Sequence, residues 1–265
     1  MNLRSSTIHS EDKLSRQFSL ALMLASQDVR LAYRRSKVGP FWVTLSMLIQ
    51  IVSMGVVFSL IFKIEIKDYL PWLAASQIIW GLFSSTLVES CQSIISGENI
   101  IKQMKISTTM FPLRTIFKNL IILAHNFAIV PLAYIVFGVQ LKFEMLLVIP
   151  GLLLMLLNLY WMGMILAILC ARFRDLAPIV SSVISIAYFV TPIMWKPEAL
   201  GNSQIAHLLL GLNPVYHLYQ IVRQPLVGEL PTLENWIGGS LVLICGTLLA
   251  YKLYKENRTK IAYWV

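Results

Sequence analysis

From the N-terminus onward, the chain alternates long uncharged apolar runs with short polar links. The runs are Phe41 to Phe62, Leu70 to Val88, Asn119 to Leu141, Met145 to Ala171, Leu176 to Trp195 and Trp236 to Tyr251. A helix needs roughly 17 to 25 apolar residues to cross the hydrocarbon layer, where every backbone group must find its partner internally. The pattern therefore predicts an all-α integral membrane protein with six transmembrane helices. The last run is short, and extending it back to Leu233 past Glu234 brings it nearer a full span. A seventh apolar stretch, Ala206 to Val222, is interrupted by Asn213-Pro214 and carries two histidines, which a lipid-facing helix tolerates poorly. It reads as a re-entrant hairpin before the last span, within an external region covering residues 196–235.

Ahead of the first run, residues 1–12 are polar and are expected to be flexible. From Lys13 the pattern changes: Phe18, Ala21, Leu22, Ala25, Val29 and Ala32 recur at helical spacing, while Arg16, Gln17, Ser26, Gln27, Arg30 and Arg34 fall largely elsewhere on the wheel. This predicts an amphipathic interface helix over residues 13–39, lying on the inner membrane surface with Arg30, Arg34, Arg35 and Lys37 toward the headgroups. Gly39-Pro40 then turns the chain into the six-span domain, residues 40–255, and residues 256–265 form a tail.

Composition strengthens this picture. The chain is 57% hydrophobic and 13% charged, with a mean hydropathy of +0.70, whereas about a quarter of residues are charged in soluble domains. Lys and Arg number seven before the first span, then two, four, one, two, two, and four after the last. Alternate links carry the excess, so the positive-inside rule places both termini in the cytoplasm. Acidic residues divide evenly, so the net charge of +9 belongs to the cytoplasmic face. That charge suits anionic lipid headgroups or an acidic partner rather than nucleic acid. No apolar h-region follows Met1, so the first span is expected to serve as its own targeting signal. Cys91, Cys170 and Cys245 read as apolar fillers, implying neither disulfides nor a metal site.

The candidate chemistry is sparse. No GxxxxGK[ST] motif, HExxH or metal-spaced His/Cys cluster occurs. Glu89, directly after the second run, is the one acid within a predicted helix, and it reads either as an intramembrane functional group or as a residue at the inner interface. A carrier driven by protons or ions displays several buried ionisable groups, so the energy source is expected on another polypeptide. His125-Asn126 reads as a helix-to-helix hydrogen-bonding pair. Small residues recur every fourth position in Gly163, Ala167 and Ala171, in Ala177, Ser181 and Ser185, and in Gly246 and Ala250. They serve either packing within the chain or a subunit interface. Aromatics at Phe58, Phe62, Trp80, Tyr160, Tyr188, Phe189 and Trp195 fit an interfacial belt. They also fit a path for sugars, whose pyranose rings stack on flat apolar faces.

The chain also carries a set of local motifs. An amphipathic helix runs into Tyr33-Arg34-Arg35-Ser36-Lys37-Val38-Gly39-Pro40-Phe41-Trp42. A tight link, Arg172-Phe173-Arg174-Asp175-Leu176, follows the fourth span. Thr191-Pro192-Ile193-Met194-Trp195, Asn213-Pro214-Val215-Tyr216-His217 and Ile261-Ala262-Tyr263-Trp264 complete the set. From about Ser15 to the C-terminus this arrangement resembles the type-2 ABC exporter permeases that move polysaccharides, the O-antigen export permeases above all, with capsule and teichoic-acid permeases as relatives.

The resemblance implies a homodimer in the bacterial inner membrane, bound below to two ATP-binding subunits that hold ATP and magnesium, with a channel for a lipid-linked polysaccharide. It implies a transport permease and not an enzyme, with no cofactor in this chain. Residues 97–105 become a coupling segment, with Glu98, Asn99, Lys102 and Lys105 facing the ATPase. Residues 172–177 become a second contact, through Arg172, Arg174 and Asp175. The sequence departs from the pattern at Ile106-Ser107-Thr108-Thr109-Met110, where a more basic and aromatic approach to Phe111-Pro112 is expected. Two rival classes are a membrane enzyme acting on polyprenol-linked sugars, which would need paired acids such as Glu229 and Glu234, and a secondary carrier.

Overall fold

The computed structural model describes residues 3–34, 39, 41–103, 106–197 and 204–264, and no strand occurs among them. Twelve helices follow one another in that described part: α1 (Leu3–Ala32), α2 (Phe41–Phe62), α3 (Ile66–Ser93), α4 (Glu98–Gln103), α5 (Met110–Asn126), α6 (Ile129–Phe137), α7 (Val148–Arg172), α8 (Leu176–Val190), α9 (Gln204–Leu212), α10 (Pro214–Leu226), α11 (Leu233–Asn257) and α12 (Ile261–Trp264).

Four stretches are long and apolar enough to cross a membrane: α2, α5 together with α6, the Phe143–Arg172 segment containing α7, and α11. A fifth is α3, which bends by 50° into Ile95–Gln103. The fifth expected run, Leu176 to Trp195, gives only α8, whose 15 residues extend about 22 Å at 1.5 Å per residue, short of a hydrocarbon layer about 30 Å thick. It stops at Val190 and not at Trp195 because Thr191 precedes Pro192 and is extended (φ −84°, ψ 137°), as the proline ring requires of its predecessor. A proline also explains the break in the third run. Pro131 has no N–H to return to Phe127, so the helix restarts at Ile129 with Pro131 in its first turn, where the loss is tolerated.

The core forms around α3, which packs against α2, α5, α6, α7, α8 and α10. Leu73, Ala74, Ala75 and Ser76 are wholly buried, and the small residues among them let neighbouring backbones close in. Two of the small-residue ladders pack within the chain. Ala167 and Ala171 are buried; a Cβ on Gly163 would lie 2.7 Å from Ser90 Oγ, and one on Gly246 would lie 2.2 Å from the Trp161 ring. The third, Ala177, Ser181 and Ser185, lies on α8, which buries none of its residues.

Within the stretch expected to be external, the described residues form two helices, α9 and α10, joined at Asn213. The Asn213 side chain caps α10, accepting from the N–H groups of Val215 and Tyr216, and Pro214 takes the first helical position. α10 is a core element, packed among α3, α7 and α11. The helix of the sixth run is longer than that run: Thr232 caps α11, Glu234 occupies its first turn, and the helix continues to Asn257. An acid there complements the helix dipole. At the other end, α1 is helical from Leu3, ahead of the amphipathic pattern that starts at Lys13.

Candidate functional site

The expected coupling residues gather on one end of the molecule. The chain leaves α3 through a single turn, Ile95–Gly97, and enters α4. Gly97 sits directly on Phe111, whose ring atoms would lie 2.1 to 2.7 Å from any Cβ added there. Ile100 and Ile101 pack with Ile94, Met110, Phe111, Ala171 and Ile261, while Asn99 and Lys102 face outward. Glu98 accepts from Lys102 one turn on, at 2.5 Å. That hydrogen bond and the Lys102 charge hold the Glu98 carboxyl below the usual carboxylate range, and the Arg174 charge adds to the effect. The folded pKa being the lower one, the pair contributes above the ordinary carboxylate pKa and fades as pH falls through the folded value.

Through Arg174 the second link joins the same face. Arg172, Arg174 and Asp175 are all exposed, and the Arg172 guanidinium lies 4.9 Å from the Phe173 ring and 5.6 Å from the Trp264 ring. Trp264 belongs to α12, which the sequence reading treats as a tail. Ile261 is wholly buried, and α12 packs on both α4 and α7. Its signal was the isolated apolar quartet after Arg258 and Lys260. Lys105, Arg35 and Lys37 lie outside the described residues.

α1 is docked on α5. Ala21, Ala25 and Val29 are buried, Phe18 meets Phe117 edge-on at 4.7 Å, and Arg114 makes a two-pronged bond to Asp28 at 2.6 and 2.7 Å. Arg30 and Arg34 stay exposed, as do Phe18, Leu22 and Met23. The helix thus covers protein with Ala21, Ala25 and Val29, aided by Leu20 and Leu24, and leaves Leu22, Met23, Arg30 and Arg34 outward.

The expectation that α5 becomes apolar only from Asn119 is corrected by its start at Met110, which places Arg114 and Lys118 inside the helix. Each is answered by an acid from elsewhere: Lys118 and Asn119 donate to Glu89 at 2.8 and 2.9 Å. The pairs border a cleft of about 330 Å³ between α1, α3 and α5. His125 uses Nδ1 on Ile121 O of its own helix, and the buried Asn126 Oδ1 has no partner among the described residues, so this pair does not bridge helices.

The candidate path aromatics divide into separate places. Trp80, Tyr188 and Phe189 line one cleft of about 420 Å³ between α2, α3 and α8, with Gln50, Gln77, Ser84 and Ser185. Gln77 donates to the Tyr188 hydroxyl at 2.5 Å, and the Trp80 and Tyr188 rings stand 5.7 Å apart. Phe58 and Phe62 stack at 5.7 Å and continue through Tyr69 to Trp72. Trp195 donates to Phe189 O at 3.0 Å. Tyr160 is elsewhere, reaching Thr109 O at 3.4 Å. The amides and hydroxyls of the first cleft escaped the sequence reading, although Gln77, Gly81 and Ser84 recur at helical spacing inside an apolar run.

Aromatic faces beside neutral hydrogen-bonding groups suit a hydroxyl-rich ligand held loosely. The cleft lining carries no acid–base pair and no basic group.

These features define a class: a helical, multi-pass membrane protein with a charged layer of short elements at one end. Residues 20–227 match the ABC-2 type transporter family model, and the chain belongs to that family. Among curated relatives it is similar to the O-antigen export system permease protein RfbA of Myxococcus xanthus, 20% identical over 246 residues that cover 92% of this chain and 94% of the relative. A second is the protein of the same name from Klebsiella pneumoniae, 22% identical over 241 residues covering 89% and 92%. Another Klebsiella pneumoniae permease of that name is 22% identical over 187 residues, covering 70% and 72%.

Proposed function

We propose that this chain is the permease subunit of an ATP-driven exporter that moves a lipid-linked polysaccharide, O-antigen foremost, across the bacterial inner membrane. The observation that carries the reading is family membership over most of the chain, with relatives named as O-antigen export permeases along nearly its whole length. The neutral, aromatic cleft lined by Gln77, Trp80, Tyr188 and Phe189 supports it chemically, because a polymer must slide past its lining without being held.

In this reading six spans cross the bilayer, α8 being the short one, and α9 and α10 form the external hairpin. Both termini are cytoplasmic. Two copies assemble along the outward small-residue face of α8, each above an ATP-binding subunit that supplies hydrolysis. Glu98, Asn99, Lys102, Lys105, Arg172, Arg174 and Asp175 meet that subunit. Its closure pushes α4 and the 172–177 link, and the α3 bend passes the movement into the membrane.

Deleting the gene is expected to leave completed polymer inside the cytoplasmic membrane, detected by protease-treated spheroplast fractionation. Absence of polymer altogether would point to synthesis and remove the proposal. In reconstituted permease with its ATPase, reversing charge at Glu98 and Arg174 should lower coupled hydrolysis at least tenfold. Unaltered hydrolysis would remove the coupling assignment alone.

A further inference from the structure

Arg223 on α10 is 3% exposed, and among the described residues no carboxylate pairs with it. Nη1 donates to Pro192 O at 2.8 Å and Nη2 to Gln220 Oε1 at 2.5 Å. The guanidinium stands 4.8 Å from the Trp72 ring centroid and 5.2 Å from that of Tyr219, and Nε has no hydrogen-bond partner among the described residues. A buried cation satisfied only by neutral acceptors and ring faces costs free energy that an apolar side chain of the same size would avoid. Space filling alone therefore does not account for arginine here.

What the guanidinium joins is informative. Pro192 belongs to the turn Thr191–Met194 that ends α8, Trp72 to α3, and Arg223 itself to α10. The same turn is held at two further points: Tyr69 donates to Met194 O, and Asn213 donates to Thr191 Oγ1 at 3.2 Å. Thr191 and Ile193 are wholly buried beneath these bonds. Lys196, just beyond the turn, lies over the Trp72 ring at 5.8 Å. The arginine contacts exist only while three elements are together. Separating them rehydrates the charge, so the join is cheap to open in proportion to its cost when closed.

We infer that Arg223 is a positioning residue that latches α10 to the Thr191–Met194 turn and thereby sets the shape of the outer exit. The claim rests on the transport reading for what the exit passes, but the latch itself is testable without cargo. A planar, forked guanidinium can serve Pro192 and Gln220 together, whereas an ammonium keeps one of them.

The reporter is Thr191→Cys in a full-length chain whose three cysteines are replaced by alanine, labelled in spheroplasts with a membrane-impermeant maleimide. Arg223→Met is expected to speed labelling at least tenfold over the parent, with Arg223→Lys between the two and Gln220→Leu a smaller change in the same direction. Polymer export should fall with Arg223→Met and partly recover with Arg223→Lys. Labelling of Arg223→Met within twofold of the parent overturns the latch. Should that variant fail to accumulate, unaltered labelling in both Arg223→Lys and Gln220→Leu overturns it instead. A parent that labels as expected yet exports no polymer leaves the latch standing and removes the transport reading.

Discussion

At Gly97 one missing methyl group fixes where α4 lies. The Phe111 ring beneath it is wholly buried, and a Cβ would lie 2.1 Å from Phe111 Cε1, far inside contact distance. Gly97→Ala must therefore displace the ring or the turn, and overpacking of this kind costs about 1–3 kcal/mol. Its thermal midpoint in detergent should drop, and Phe111→Leu in the same chain should restore part of the loss. An additive double variant would show that the two residues do not meet. The sequence marked Gly97 as the start of a cytoplasmic segment, because glycine and charge follow an apolar run. It gave no sign of Phe111 as the partner, since that packing depends on a 50° bend. Arg114 and Lys118 show the converse error: charge alone assigned them to a link, and only Asp28 and Glu89, distant in sequence, make a helix position acceptable.

Helices were the most legible objects because their existence depends on composition and period. α2 begins and ends with its apolar run, whereas α8 falls short where Pro192 holds Thr191 extended, and α5 breaks from α6 where Pro131 lacks a backbone donor. What periodicity could not foretell is which helix each face meets. α1 has the pattern of a surface helix, yet Ala21, Ala25 and Val29 are buried where it docks on α5, with Asp28 locked to Arg114. On α5, Arg114 and Lys118 stand one turn apart, so α5 is clipped to α1 by one pair and to α3 by the next. The side chains of the Asp28 pair are 20% and 26% exposed, which screens it relative to a fully buried pair. A double-mutant cycle with Asp28→Asn and Arg114→Gln should return a coupling of about 1–2 kcal/mol in thermal or denaturant unfolding. A coupling near zero would mean that the apolar contacts alone hold α1.

Taken as a whole, the molecule ties its two ends by different means. The end that carries the Thr191–Met194 turn is gripped by hydrogen bonds from Tyr69, Asn213 and Arg223 to that turn, while the end that carries α4 is knitted by apolar contact among α1, α4, α5, α7, α11 and α12. The last four helical residues matter to the α4 end out of proportion to their number. Burying an isoleucine contributes about 1.5–3 kcal/mol, and Ile261 spends that burial where α4 meets the base of α7, with Trp264 over Arg172 beside it. None of these contacts is made by the apolar part of α11, so a chain cut after Arg258 retains its membrane-crossing stretches and should still insert. What it should lose is the fixed relation between α4 and the 172–177 link. The truncated chain is expected to reach the membrane in normal amount, to be cleaved faster by trypsin at Lys102 or Arg172, and to lose coupled ATP hydrolysis with its partner. Restoring only Ile261 and Trp264 on an alanine tail should recover protection at both sites. If the cut chain resists trypsin as well as the intact one, α4 and the 172–177 link are held together without α12, by the remaining apolar contacts.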